Sequence, residues 1–121
     1  MIILDDLKQK TLAMKEDVDK IKSALDIDGV ERKLKELEEI QLEEDFFQRD
    51  DASGIYKKVS NLNDILESFK RLNSEYEDTL CFLDLVGEEN DESLLEEAEQ
   101  TVLKCEKSIR EMTVNTLLTG Q

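Results

Sequence analysis

The most restrictive feature of the sequence is an apolar stripe in its first 25 residues. Seven side chains recur at alternating spacings of three and four residues, which places them on one face of an α-helix. They are Leu4, Leu7, Thr11, Met14, Val18, Ile21 and Leu25. Because the chain has no proline and only four glycines, long uninterrupted helices are the simplest interpretation of the rest as well. The pattern predicts an all-α protein.

Composition indicates how these helices pack. Of the 121 residues, 39% are hydrophobic, 39% are charged and only 5% are aromatic, a balance typical of slender bundles with a narrow core. The length suits one domain. We therefore expect residues 1–121 to form a single antiparallel bundle of coiled-coil-like hairpins, with about four helices.

Turn signals divide the predicted helices. The first helix ends near residue 25, and Asp28 with Glu31 suggests a capping box for a second helix that reaches about Leu42 and pairs with the first as a hairpin. A long third helix is predicted from about residue 52 to 86, with Asn73 on its apolar seam. A fourth starts at Asp91 or Ser93 and continues to residue 117 or 118.

Two segments join the predicted helices, one between the two hairpins and one at the turn of the second hairpin, and we name them for their composition. The aromatic connection, residues 43–54, contains Phe46 and Phe47; adjacent residues cannot share one helix face, so at least one is expected to close the end of the core. The acidic turn, residues 87–95, carries consecutive carboxylates. Six residues of the aromatic connection and the acidic turn are candidates for contact with a partner: Phe46, Phe47, Glu88, Glu89, Asp91 and Glu92.

The formal charge of −15 is unevenly distributed. Residues 1–35 are neutral, whereas residues 72–103 contain eleven Asp and Glu and no Lys or Arg. Such a run is often just a solvated helix face, but it would also suit a basic protein patch. It would repel phosphate, so we expect no direct binding of nucleic acid.

Catalytic and metal sites lack the expected side chains. The chain has no histidine, the commonest general base and metal ligand, and no glycine-rich phosphate loop. The acidic turn lacks the spacing of a calcium loop. We therefore predict no catalytic residue, metal, cofactor or small-molecule substrate. The absence of a secretory leader and of a long apolar run predicts a cytoplasmic protein without membrane contact.

Cys81 and Cys105 are the only thiols. If the chain reverses at the acidic turn, they lie too far apart along the bundle to form a disulfide. Both are expected to be reduced and to fill the core.

Several stretches, read in order, resemble the N-terminal domain of the bacterial peptide chain release factor 2 family. They are Leu-Asp-Ile-Asp at 25–28, Arg-Lys-Leu-Lys-Glu-Leu-Glu at 32–38, Asp-Phe-Phe-Gln-Arg-Asp at 45–50, Leu-Asp-Leu at 83–85, Glu-Asn-Asp-Glu at 89–92 and Leu-Leu-Thr-Gly at 117–120. The family usually has Pro-Asp-Phe-Trp where this chain has Glu-Asp-Phe-Phe at 44–47.

The resemblance implies a factor that recognises the stop codons UGA and UAA and triggers peptidyl-tRNA hydrolysis. In the family these tasks belong to later domains with a Ser-Pro-Phe tripeptide and a Gly-Gly-Gln loop. This chain has neither, since Gln121 follows a single glycine; Gly120 resembles the link to the next domain. The resemblance thus implies a non-catalytic, ribosome-positioning domain near the stalk base of the large subunit, where it contacts protein.

Two functions from other classes remain open. The chain could be a free-standing coiled-coil scaffold or prefoldin-like chaperone, in which case a stop codon would follow Gln121. It could also be a carboxylate-rich metal buffer, which calcium would stabilise against heat.

Overall fold

The computed structural model describes residues 2–118, and these are predominantly helical. No strand occurs in this range, so the all-α prediction is confirmed. The α-helices are α1 (Ile2–Ala13), α2 (Lys15–Leu25), α3 (Ile27–Gln41), α4 (Ala52–Glu89) and α5 (Leu95–Thr113). Two 3₁₀ turns, Phe46–Gln48 and Glu92–Leu94, and a π-helical turn, Val114–Leu118, complete the described chain. The predicted long helix is α4, with 38 residues.

The predicted first helix is interrupted at Met14, although its apolar stripe continues across the break. The Met14 amide donates to the carbonyl of Thr11, 3.0 Å away and only three residues back. One turn earlier, the Thr11 hydroxyl donates to the carbonyl of Leu7 at 2.8 Å, a side-chain bond that often bends helices. A tightened turn thus separates α1 from α2, while Leu4, Thr11, Met14, Val18 and Ile21 all remain buried.

The chain divides into two compact units. Unit 1 contains residues 1–24 and 71–121, and unit 2 contains residues 25–70, so α4 contributes to both. The first two predicted helices, expected to pair as a hairpin, therefore belong mainly to different units. That residues 1–121 act as one domain stays a prediction.

Unit 1 is built from α1, α2, the second half of α4 and α5. Lys8 pairs with Asp84 at 3.3 Å, and the Leu4 side chain lies beside Gly87, which sets α1 antiparallel to α4. A second ion pair joins Lys10 on α1 to Glu106 on α5 at 3.3 Å. The core side chains on α4 and α5 are almost inaccessible: Leu83, Val86, Ala98, Val102 and Cys105.

Unit 2 consists of α3 and the first half of α4, joined by the aromatic connection. Asp26 starts α3 in the left-handed region, with φ of 51°, and its carboxylate accepts from the amide of Gly29 at 3.3 Å. The predicted cap, Asp28, is instead in the first turn of α3. The buried side chains on α3 follow helical spacing: Ile27, Val30, Leu34 and Leu37.

Two polar positions on α4 differ from expectation. Asn73 is only half-buried and donates to Glu77 on its own helix at 3.5 Å, so it is not a buried seam residue. Thr79 is instead fully buried, and its hydroxyl donates to the carbonyl of Glu75 at 2.7 Å. A threonine can enter an apolar core in this way, because its own helix satisfies the hydroxyl.

The two thiols have different environments. Both are free, as expected, but only Cys105 is buried, and Cys81 is exposed. The prediction that Cys81 fills the core is wrong because its position on α4 faces solvent. The predicted link at Gly120, with Thr119 and Gln121, lies outside the described residues.

Candidate functional site

The aromatic connection in unit 2 is a short series of hydrogen-bonded turns. The Phe46 amide donates to the carbonyl of Glu43 at 3.1 Å, and the Arg49 amide donates to the carbonyl of Phe46 at 3.1 Å. Residues 52–54, where the predicted connection and the predicted third helix overlap, form the first turn of α4, so the helix starts where it was expected. These bonds satisfy backbone groups of the connection itself.

The two adjacent phenylalanines have opposite exposures. Phe46 is completely buried, as predicted for a residue that closes the core, whereas Phe47 is 78% exposed. The Phe46 ring contacts Phe47 and Tyr56 edge to face, with centroids 5.4 Å apart in both pairs. Of the two, Phe47 is therefore the side chain that a partner can reach.

Two further apolar side chains near this connection are exposed and were not among the predicted contact residues. Leu42 is 85% exposed, and Tyr56 is 48% exposed and contacts Phe46. A signal for Leu42 was available, because it lies two residues after Ile40, and residues two apart cannot share one face of a helix. No sequence pattern marked Tyr56 as exposed, since it directly follows the apolar Ile55 and either residue could have faced the core.

Arg49 holds the charged side of the connection in place. Its Nε donates to Asp51 Oδ1 at 2.8 Å and a terminal nitrogen donates to Oδ2 at 3.1 Å, while Glu43 lies 3.7 Å from the other terminal nitrogen. These bonds lower the pKa of Asp51 and raise that of Arg49. Arg49 is thus paired with the chain's own carboxylates.

The acidic turn in unit 1 joins α4 to α5, as predicted. Asn90 adopts φ of 50°, and Asp91 caps the following 3₁₀ turn by accepting from the amide of Ser93 at 3.0 Å and from its hydroxyl at 2.6 Å. Of the two residues at which the fourth helix was predicted to start, Asp91 and Ser93, Asp91 therefore makes the capping bonds. The four predicted contact residues are all exposed: Glu88, Glu89, Asp91 and Glu92.

Other features of the described residues bear on chemistry. Within residues 2–118, no group of three or more Cys, Asp or Glu side chains is placed to hold a metal ion. None of the helices in this range is long and apolar enough to cross a membrane. Burial raises the pKa of the Cys105 thiol, partly offset by a hydrogen bond with Thr79.

The chain is similar to several bacterial proteins called peptide chain release factor 2. The chain is 30% identical over 118 residues to peptide chain release factor 2 of Staphylococcus aureus, and this match covers 97% of the chain. It is 29% identical over 115 residues to peptide chain release factor 2 of Petrotoga mobilis and 26% identical over 109 residues to that of a Nitratiruptor species. These matches cover 94% and 89% of this chain.

The matches cover only part of each relative's length. The chain spans 32% of the length of the Staphylococcus aureus protein, 31% of the Petrotoga protein and 30% of the Nitratiruptor protein. No protein-family model matches the chain, and no solved structure gives a significant match. The resemblance to peptide chain release factor 2 is thereby confirmed along almost the whole of this chain, which is similar to about a third of that protein.

Proposed function

We propose that this chain is the ribosome-positioning part of a translation termination factor and that it has no catalytic activity by itself. The observation that carries the proposal is the similarity to peptide chain release factor 2 over 97% of the chain. A match of this extent involves both units and both connections, so it is not the similarity of a single amphipathic helix.

The proposal divides the work between this chain and the remainder of a longer factor. The relatives are about three times as long as the match, and the chain has no histidine, no proline and no Gly-Gly-Gln sequence. We assign recognition of UGA and UAA, and the triggering of peptidyl-tRNA hydrolysis, to segments outside this chain. The role left to this chain is to position the factor on the ribosome in the cytoplasm.

The proposed contact is with protein at the stalk base of the large subunit. The net charge of −15 opposes close approach to RNA phosphates, whereas basic ribosomal protein would be attracted to it. Electrostatic complementarity of this kind mainly increases the association rate and the specificity. Weak, screened attraction is sufficient for a domain whose task is to orient its neighbours.

A fusion experiment tests the proposal. The chain replaces the matching third of the Staphylococcus aureus factor, and peptide release is measured on ribosomes programmed with UGA, UAA or UAG. We expect the fusion to release peptide at UGA and UAA and not at UAG, and the chain alone to give no release above background. Release by the chain alone would overturn the non-catalytic assignment.

A deletion variant tests the positioning role. The same fusion without residues 1–118 should need a higher concentration for half-maximal release, because the contact that orients it is gone. An unchanged concentration dependence would contradict the positioning role.

The alternative, a free-standing coiled-coil scaffold or prefoldin-like chaperone, is tested by the codons after Gln121: a Gly-Gly-Gln sequence downstream supports the proposal, and an immediate stop codon supports the alternative.

A further inference from the structure

We propose that Phe47 is an anchor through which the aromatic connection docks onto a basic protein surface that contains an apolar pocket. The inference rests on the proposed ribosomal function and adds the residue that makes the contact and the chemistry of the partner. Exposure, local rigidity and charge each support it.

The first support is the exposure of apolar side chains around one short segment. Phe47 is 78% exposed although its neighbour Phe46 is completely buried, and Leu42 is 85% exposed. Large aromatic side chains dominate the energetics of protein interfaces when they enter a pocket on the partner. The acidic turn offers less, because its leucines, Leu94 and Leu95, are half-buried.

The second support is that the exposed ring is held in place. Phe47 packs edge to face on Phe46, with an angle of 71° between the rings, and lies in the 3₁₀ turn Phe46–Gln48. The bond from the Gln48 amide to the Asp45 carbonyl, 3.0 Å long, closes this turn. An anchor that is ordered before binding loses little conformational entropy in the complex.

The third support is the sign of the surrounding charge. Between residues 42 and 56 there are five carboxylates and one arginine, a net charge of −4. That arginine, Arg49, is paired with Asp51 and Glu43. The same negative charge would repel a nucleic acid or a second copy of this chain, so the complementary surface is a protein pocket rimmed by Lys and Arg.

Binding of matched variants to purified large ribosomal subunits tests the anchor. Phe47→Ala should weaken the affinity of the chain by roughly tenfold, as expected for an interface hot spot. Leu103→Ala is the control, because Leu103 is 52% exposed but lies on α5 in unit 1; its affinity should stay within about twofold of the original. Circular dichroism should show both variants folded, since both side chains are exposed.

Photocrosslinking identifies the partner. With p-benzoylphenylalanine in place of Phe47, irradiation with large subunits should yield a crosslink to a basic ribosomal protein, and the same replacement at Leu103 should not. A crosslink to RNA, or only between copies of the chain, would overturn the inference. So would equal affinities of the original chain and Phe47→Ala. If the original chain does not bind large subunits at all, the proposed ribosomal function fails, and this inference fails with it.

Discussion

The hydroxyl of Ser108 on α5 donates to the carboxylate of Glu75 on α4, with its oxygen 2.8 Å from Oε1 and 3.1 Å from Oε2. Both side chains are partly buried, and the bond lies one turn from a second polar contact between the same helices, the hydrogen bond between Thr79 and the Cys105 thiol. The two residues are 33 positions apart in sequence, and the bond between them helps to fix how α4 and α5 are aligned along their length.

Removing this bond should destabilise unit 1. Ser108→Ala leaves a partly buried carboxylate without its donor, so we expect the free energy of unfolding to fall by about 1 to 2 kcal/mol. Urea unfolding followed by circular dichroism measures the change. The control is Ser74→Ala, an exposed serine on α4 next to Glu75, which should change stability by less than about 0.5 kcal/mol. Equal effects of the two variants would contradict a special role for Ser108.

The two thiols should react at very different rates. Cys81 is exposed, whereas Cys105 is buried and desolvation raises its pKa, which leaves less of the reactive thiolate. A colorimetric thiol reagent at mildly alkaline pH should therefore modify one thiol quickly in the folded chain and the second only after denaturant is added. Cys81→Ser should abolish the fast phase, and a persistent fast phase in that variant would contradict the assignment.

The start of α3 should show energetic coupling between Asp26 and Gly29. A Cβ added at Gly29 would collide with the Asp26 carboxylate that caps the helix. In the original chain, the gain in helix propensity from Gly29→Ala is offset by the lost capping bond. In an Asp26→Gly background no carboxylate interferes, and the same replacement should stabilise by about 0.5 to 1 kcal/mol. A double-mutant cycle in urea measures this coupling, and additive effects would refute it.

Asp51 should titrate below the ordinary range of aspartate. The hydrogen bonds from Arg49 lower its pKa, so its contribution to stability is present above the pKa of the unfolded state and is lost as the pH falls through the lower folded value. An NMR titration of the Asp51 carboxyl carbon measures this pKa directly. Arg49→Gln should return it toward the ordinary value, while Lys57→Gln, nearby on α4, should leave it unchanged.

Helical content and the positions of the turns could be predicted from the sequence because they depend on local spacing. The stripe through Ile21 and the acidic turn at Asp91 are found where they were expected. The break at Met14 was missed because it depends on where the Thr11 hydroxyl donates, and hydrophobic spacing carries no information about that bond.

The candidate site was only partly predictable. Adjacent phenylalanines had to differ in environment, but spacing could not decide which one is buried, since that depends on how the 3₁₀ turn directs Phe46 toward Tyr56. The burial of Thr79 was missed for a similar reason. Its hydroxyl finds an acceptor within its own helix, which its amino-acid type alone does not reveal.

Thr11 and Thr79 bury hydroxyls that each donate to a carbonyl four residues earlier on their own helix, and Thr79 also forms a hydrogen bond with the Cys105 thiol on α5. The Thr11 hydroxyl is satisfied within α1, so it does not select a packing partner, and the carbonyl that accepts from it can still receive the ordinary helical amide. Valine has nearly the same shape, so Thr11→Val should preserve the helix arrangement. Divergent relatives can thus lose polar core atoms here while the same architecture persists.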